Sequence, residues 1–392
     1  EGAIDAQTGK GKGTGAIAKR PRVQKKRCIG LGGSLADAGK GAFDLALAIT
    51  PGLTTVEEQK RNRAKWLEKV AASAAGKMAA TIMGLAAAVL TACQSSGPAA
   101  APANSPEARA VQFLAREVPA WSRENGCYSC HNNGDGARAL AVAAKLGHAV
   151  PSEALADTRR WLQAPDSWDE NKGDPGFSDQ RLADIQFAAT LFVDEQAGNR
   201  RSRMAATRRV ARHQSANGAW NVEPENPIGS PTTYGTTLAT YMAWRVVSRV
   251  AADEFAASRE KAEAWLDNAA AKNTPSAAAL LLYSMERGQR ERGGELFDYL
   301  KEHQLHDGGW GPYALSPPEV FDTAIALLAL ERVTGPAATE VRRAARKYLF
   351  SQQFSDGSWP PTTRPTGGAS YAQQISTTAW AALALLKTGE ER

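Results

Sequence analysis

The sequence predicts an all-α protein of six helix pairs closed into a ring, and three observations carry that expectation. The stretches "QSANGAW" (Gln214–Trp220), "QLHDGGW" (Gln304–Trp310) and "QFSDGSW" (Gln353–Trp359) share the pattern Q-x-x-x-G-x-W. Each follows a segment rich in Ala, Arg and Leu with a polar face, and each precedes a segment that is apolar nearly all round, such as "VFDTAIALLALERV". A helix with one apolar stripe lies at a surface and a helix apolar on every side is buried, so the alternation reads as outer and inner helices. The third observation is spacing. Trp310 and Trp359 are one repeat apart and Trp220 and Trp310 about two, and a fixed period of this kind marks a repeat architecture.

Extending the rhythm gives helix pairs at about 107–147, 153–197, 201–250, 256–287, 291–333 and 338–387. Six pairs leave no exposed end. In each turn the Gly permits a tight reversal, the Trp is a buried anchor, and the Gln is free to hydrogen-bond backbone at a neighbouring helix end. At 392 residues, with 43% hydrophobic and 22% charged content, the chain has material for such a core and is not a disordered one. The formal net charge of +6 owes much to "KRPRVQKKR" (Lys19–Arg27), outside the repeats. No nucleic-acid partner is expected from it.

Residues 1–77 are rich in Gly, Ala and Lys and lack sustained apolar periodicity before "FDLALAI". They are expected to be an upstream segment, disordered or added by a misplaced start, with translation beginning near Val70 or Met78. A genuine cytoplasmic domain followed by a membrane anchor is the alternative. Next comes "KMAATIMGLAAAVLTAC", where Lys77 precedes an apolar run from Met78 to Leu90 and a Thr91-Ala92-Cys93 ending. The run falls short of the ~20 residues of a membrane span and has the positive flank, short apolar core and small residues of a secretory signal. It resembles a bacterial lipoprotein signal peptide over 78–92. The resemblance implies cleavage before Cys93, lipidation of its thiol, and a chain anchored to a membrane in the periplasm or at the cell surface. The Ser/Ala/Pro-rich residues 93–105 then read as a tether, leaving 106–392 as the folded domain.

Two of only four cysteines stand in "ENGCYSCHNNGDG" (Glu124–Gly136). In C-x-x-C-H the thiols of Cys127 and Cys130 can form thioethers to the vinyl groups of a haem while His131 offers a nitrogen to the iron. A redox dithiol or disulfide, half of a zinc site, or an accidental pair are the other readings, and a four-ligand zinc site needs partners the sequence hardly offers. Aligning the first helix pair with the third sets Asn125-Gly126 against Asn217-Gly218, so the attachment loop, 125–136, falls at an outer-to-inner turn on the mouth of the ring. The flanking "NNGDG" is expected to be flexible enough for a macrocycle. Covalent haem c is attached outside the cytoplasmic membrane, the compartment to which the lipoprotein signal directs the chain. No compact three-helix pattern with a downstream Met ligand follows the motif, so the ring itself would hold the haem.

For a distal iron ligand, His306 is the candidate, because "QLHDGGW" is also an outer-to-inner turn and should share a face with His131. His213, His303 and His148 read as surface or packing residues, and Met242 and Met285 as core filler.

The Q-x-x-x-G-x-W repeats resemble those of the squalene-hopene and oxidosqualene cyclases (prenyltransferase/squalene oxidase repeats), over roughly Pro106 to the C-terminus. The resemblance implies an (α/α)6 toroid whose outer-to-inner loops surround the mouth of a central cavity. The family's proton donor is the middle aspartate of D-x-D-D-T-A. Here the corresponding stretch is "EVFDTA" (Glu319–Ala324), with Phe321 in the place of the acid. Asp322 is therefore expected to be an inner-helix N-cap, and catalytic only if the chain is an enzyme. Neither a D-D-x-x-D motif nor the Asp/Cys/His zinc trio of protein prenyltransferases can be assembled. The leading expectation is a lipid-anchored haem c protein in electron transfer or a redox role, with a redox partner protein. The alternatives are an enzyme acting on a hydrophobic or isoprenoid small molecule in the cavity, and a lipid-binding scaffold.

Overall fold

The computed structural model describes residues 3–4, 29–32, 34–35, 45–48, 105–171, 179–222, 228–364 and 370–389. The chain divides into two compact units, Glu1–Ser95 and Ser96–Arg392. In the first, β1 (Ala3–Ile4) pairs in parallel with β3 (Ser34–Leu35), and β2 (Ile29–Gly32) in parallel with β4 (Leu45–Ala48). Of these strands only β4 falls in a stretch the sequence set apart, the apolar "FDLALAI". "IGLG" and "LALA" are short apolar runs without alternation, the form that parallel strands take. The signal segment 78–92, Cys93 and the tether to 104 lie outside the described residues.

The second unit is helical and follows the paired rhythm. The outer helices are α1 (Pro106–Asn125), α3 (Glu153–Leu162), α5 (Arg200–Arg212), α7 (Ala256–Asn268), α9 (Arg290–Glu302) and α11 (Pro336–Gln352). The inner helices are α2 (Ala137–Lys145), α4 (Gln180–Val193), α6 (Gly235–Ser248), α8 (Thr274–Arg287), α10 (Val320–Ala329) and α12 (Tyr371–Lys387). Each inner helix packs on the next in chain order, and α12 returns onto α2 and α1. This is an (α/α)6 toroid. The inner helices are Ala-, Leu- and Thr-rich and buried on nearly all sides, as in α12, where every residue from Ile375 to Leu386 is buried.

The three repeated turns are built alike. Gly218, Gly308 and Gly357 have φ of 92°, 89° and 94°, in the left-handed region that favours glycine. Each lies against the neighbouring outer helix, so that a Cβ would meet the carbonyl oxygen of Lys261, Ala344 or Arg109 at 2.3, 2.4 and 2.2 Å. Each Gln amide donates back to the carbonyl of its own glycine and onward to the next outer helix: Gln214 to Ser258 O (2.8 Å), Gln304 to Val341 O (3.0 Å) and Gln353 to Pro106 O (2.8 Å). The last of these joins the two ends of the ring. Trp220, Trp310 and Trp359 donate their indole N–H to Val210, Leu300 and Leu349 carbonyls, leaving no buried donor unpaired there. Substituting Gly308 by Ala meets both the backbone conformation and the Ala344 carbonyl, and a destabilisation of about 2 kcal/mol is expected in urea unfolding.

Candidate functional site

The first outer-to-inner loop departs from the other turns. Helix α1 ends on Gly126 in the left-handed conformation (φ 64°), its N–H bonded to Ser122 O; the chain bends at Cys127, and Ser129, extended, leads into a π-helical turn, Cys130–Gly136. Ser129 caps that turn, its hydroxyl accepting from His131 N (3.1 Å) and Asn132 N (3.4 Å). Asn171 clasps Tyr128 from across the mouth, accepting from its N–H (2.9 Å) and donating to its carbonyl (2.7 Å). Tyr128 also stacks on Trp161, with centroids 4.5 Å apart.

The expectation that "NNGDG" is flexible is corrected by the structure. Asn132 to Gly136 are all buried. A Cβ on Gly134 would lie 3.0 Å from Gln186 Cβ, and one on Gly136 2.9 Å from Val118 Cγ2. These glycines serve close packing, and a turn held this tightly fixes His131 instead of leaving it mobile.

His131 is anchored from below. Its Nδ1 lies 3.0 Å from Ser376 Oγ, and that hydroxyl lies 2.9 Å from Asp135 Oδ2. The hydroxyl proton goes to the carboxylate, so the serine oxygen accepts from His131 Nδ1–H. That leaves the lone pair on Nε2, which has the Cys130 sulfur 3.6 Å away. Asp135 is itself 1% exposed. It accepts from Arg138 (3.1 Å), Gln186 (2.8 Å), Ser376 and the hydroxyl of Tyr234. Tyr234 holds φ of 63°, uncommon for a non-glycine residue, and burial raises its phenol well above the usual range. It is therefore a hydrogen-bond donor.

Cys127, Cys130 and His131 line one cavity of about 490 Å3, walled by aromatic rings of Trp121, Trp168 and Phe187. This lies within the ~300–1,000 Å3 of ordinary cofactor and ligand sites. Burial pushes the Cys130 thiol up to about 12, which disfavours the reactive thiolate that a redox dithiol needs. Burial lowers His131 from its usual value, with Asp135 acting against it, and a neutral imidazole is the form that binds metal. Among the described residues no cluster of three or more His, Cys, Asp or Glu side chains is placed to hold a metal ion, so the zinc reading has no donor set there. His306 is exposed in its turn and is not among the residues lining this cavity. The structure does not bring it together with His131.

Asp322 is not the N-cap expected of it. Glu319 occupies that position without a side-chain cap bond, and Asp322 sits in the first turn of α10, fully buried. Its carboxylate pairs with Arg364, which also bonds Glu319 at 3.2 Å. Burial pushes the carboxyl up to about 7, against the pull of Arg364, and Oδ1 has no partner. Phe321, in the place of the family's acid, packs edge-on to Trp380 at 6.0 Å. Trp380 also meets Tyr234 and Arg138, so the centre of the ring at this level is filled.

The residues of the network behind His131 that sequence reasoning missed are Asp135, Tyr234, Arg138 and Ser376. The one available signal was Asp135, four residues after His131, hence on the same side of a helical turn.

Residues 259–392 match the squalene-hopene cyclase C-terminal domain model, and residues 1–79 match that of the glycerate kinase family. The two units are thus similar to different families. No curated protein matches the chain. Among solved structures, a protein from Actinoplanes is 17% identical with a TM-score of 0.50, over 72% of this chain and 99% of that one. The type II terpene cyclase MstE from Scytonema is 16% identical with a TM-score of 0.45, over 72% and 97%. The ent-copalyl diphosphate synthase from Streptomyces platensis is 15% identical with a TM-score of 0.45, over 64% and 50%. The Actinoplanes likeness supports the fold and nothing beyond it.

Proposed function

We propose that the toroid is a lipid-anchored, extracytoplasmic haem c protein in electron transfer or a redox role, with the haem held at its mouth. The observation that carries this reading is the convergence of Cys127, Cys130 and His131 on one aromatic cavity, with the imidazole oriented by Ser376 and Asp135. The cysteines would supply the two thioether sulfurs and His131 Nε2 the axial nitrogen. A bound haem supplies a one-electron couple there. The chain's own residues do the rest. Ser376 and Asp135 fix the tautomer and ring orientation, as outer-shell partners do for a ligating His, and Trp121, Trp168 and Phe187 limit the access of water. Cys93 would carry the lipid, and a redox protein outside the cytoplasm would be the partner.

The test is a pyridine haemochrome spectrum of protein made from Met78 in a host that matures c-type cytochromes. An α band near ~550 nm that survives acid–acetone extraction and vanishes in the Cys127→Ala, Cys130→Ala variant is the expected result. Colourless protein from such a host overturns the reading.

A second reading is favoured by Asp322, whose buried carboxyl has one free oxygen and is pushed up to about 7. The domain would then be a cyclase-like enzyme acting on a hydrophobic or isoprenoid molecule, with Asp322 holding the proton. Conversion of an added polyprenyl substrate that is lost in Asp322→Asn supports it. Turnover unchanged by that substitution removes Asp322 from the mechanism.

A further inference from the structure

The inner-helix C-termini end in a second cavity of about 520 Å3, whose lining residues include none of Cys127, Cys130 and His131. Its walls are apolar, with Met242, Leu282, Met285 and Leu383 among them. Its charge is unbalanced. Six cations line it and only three carboxylates, Glu195, Glu286 and Glu331. Each of those carboxylates has a cation already: Glu195 holds Lys145 at 2.7 Å, Glu286 holds Arg245 at 3.1 Å and Glu331 holds Lys387 at 2.8 Å. Arg138 is paired with Asp135 from the other side. Arg249 and Arg332 remain at the rim. Arg249 makes a bond of 3.1 Å to the Phe192 carbonyl, and neither forms a salt bridge among the described residues. Burial and the neighbouring Arg245 lower Arg249 from its usual value, with Glu286 acting against them.

Cations at these positions complement the carbonyl ends of six inner helices, but that need is met at the surface. It does not explain the floor. Arg138 is 4% and Trp380 1% exposed, and Arg138 Nε and Trp380 Nε1 are buried donors with no acceptor. Both residues line the cavity. Buried N–H groups without partners are uncommon in native proteins and call for an acceptor.

We infer that this cavity binds an anionic amphiphile: a carboxylate or phosphate head held at the rim by Arg249 and Arg332, and an apolar stem running along Met242, Leu282 and Met285. An oxygen on the stem at its inner end would meet the Arg138 and Trp380 donors. The inference is independent of the haem reading. It names a ligand class for the face away from the C-x-x-C-H loop, and the same chemistry could reach it as a free amphiphile or as a lipid of the membrane that carries the anchor.

The test uses the full chain and titrates dodecyl phosphate, laurate and, as the neutral control, dodecanol, below their aggregation concentrations and followed by calorimetry. One-to-one binding of the two anions is expected, at least tenfold tighter than dodecanol and weakened about tenfold or more in the Arg249→Ala, Arg332→Ala variant. Both arginines are exposed, so the variant should fold, and its circular dichroism reports folding. A Leu282→Trp variant, which fills the channel, should lose binding with both arginines in place. Competition by vesicles containing phosphatidic acid, and none by phosphatidylcholine vesicles, identifies a membrane lipid as the source. Binding untouched by vesicles identifies a free amphiphile. No saturable binding of either anion, or equal binding by the double-arginine variant, overturns the inference.

Discussion

Replacing Asp135 by Ala is expected to destabilise the toroid by about 3–5 kcal/mol. Four donors converge on this carboxylate from four parts of the ring: Arg138 on α2, Gln186 on α4, Tyr234 at the start of α6 and Ser376 on α12. Removing it leaves the Arg138 guanidinium buried without its counter-ion, in contact with Met242 sulfur and the Trp380 face. An uncompensated buried charge is among the few causes of effects this large. Asp135→Asn keeps the volume but supplies no charge and cannot accept from all four donors, so it should fall between Ala and the parent. Chemical denaturation of the three proteins checks the order. If haem is attached, the same variants have a second readout, because Ser376 loses its acceptor and its hold on the His131 tautomer. A shift of reduction potential in Asp135→Asn, with haem content retained, would place Asp135 as a positioning residue behind the axial ligand. A destabilised protein with an unshifted potential would confine Asp135 to holding the ring together.

The ring itself was legible because it rests on local signals. Period 3.6 separates α11, with its polar face, from α12, and Q-x-x-x-G-x-W states a turn in seven residues, so the pairs fall within a few residues of the expected bounds. Of the cavity at the first loop, the sequence named only Cys127, Cys130 and His131, because they stand together in one contiguous motif. Asp135's partners come from residues as distant in sequence as Tyr234 and Ser376, and a contact across 241 positions leaves no periodic trace in one sequence. Asp322 shows the opposite failure. Its place at a helix start invited a capping role, but the cap belongs to Glu319, and Asp322 is set by a tertiary partner, Arg364, that no local pattern names. His306, like His131, lies in an outer-to-inner loop. Sharing a face of a ring does not bring two residues to one cavity, and His306 is not among the residues lining the cavity of His131.

The buried Asp322 should give the protein a pH dependence opposite to that of an ordinary salt-bridged carboxylate. Its carboxyl is raised from 3.8 to about 7 in the folded chain, chiefly by burial. Between about pH 4 and pH 7 the unfolded chain has lost this proton while the folded chain still binds it, so unfolding releases a proton. Stability contributed by this group is therefore full below about pH 4, falls as pH rises through that window, and is flat above it. At 1.36 kcal/mol per unit the fall is up to about 4 kcal/mol. Asn cannot ionise and is nearly the same size, so Asp322→Asn should lack this component, and the stability gap between the two proteins should change across pH 4–7 in favour of the variant. Urea unfolding at four or five pH values checks it. Parallel curves would mean that Arg364 holds Asp322 ionised throughout, and an Asp322 fixed as a carboxylate could not be the proton donor that the cyclase-like reading requires.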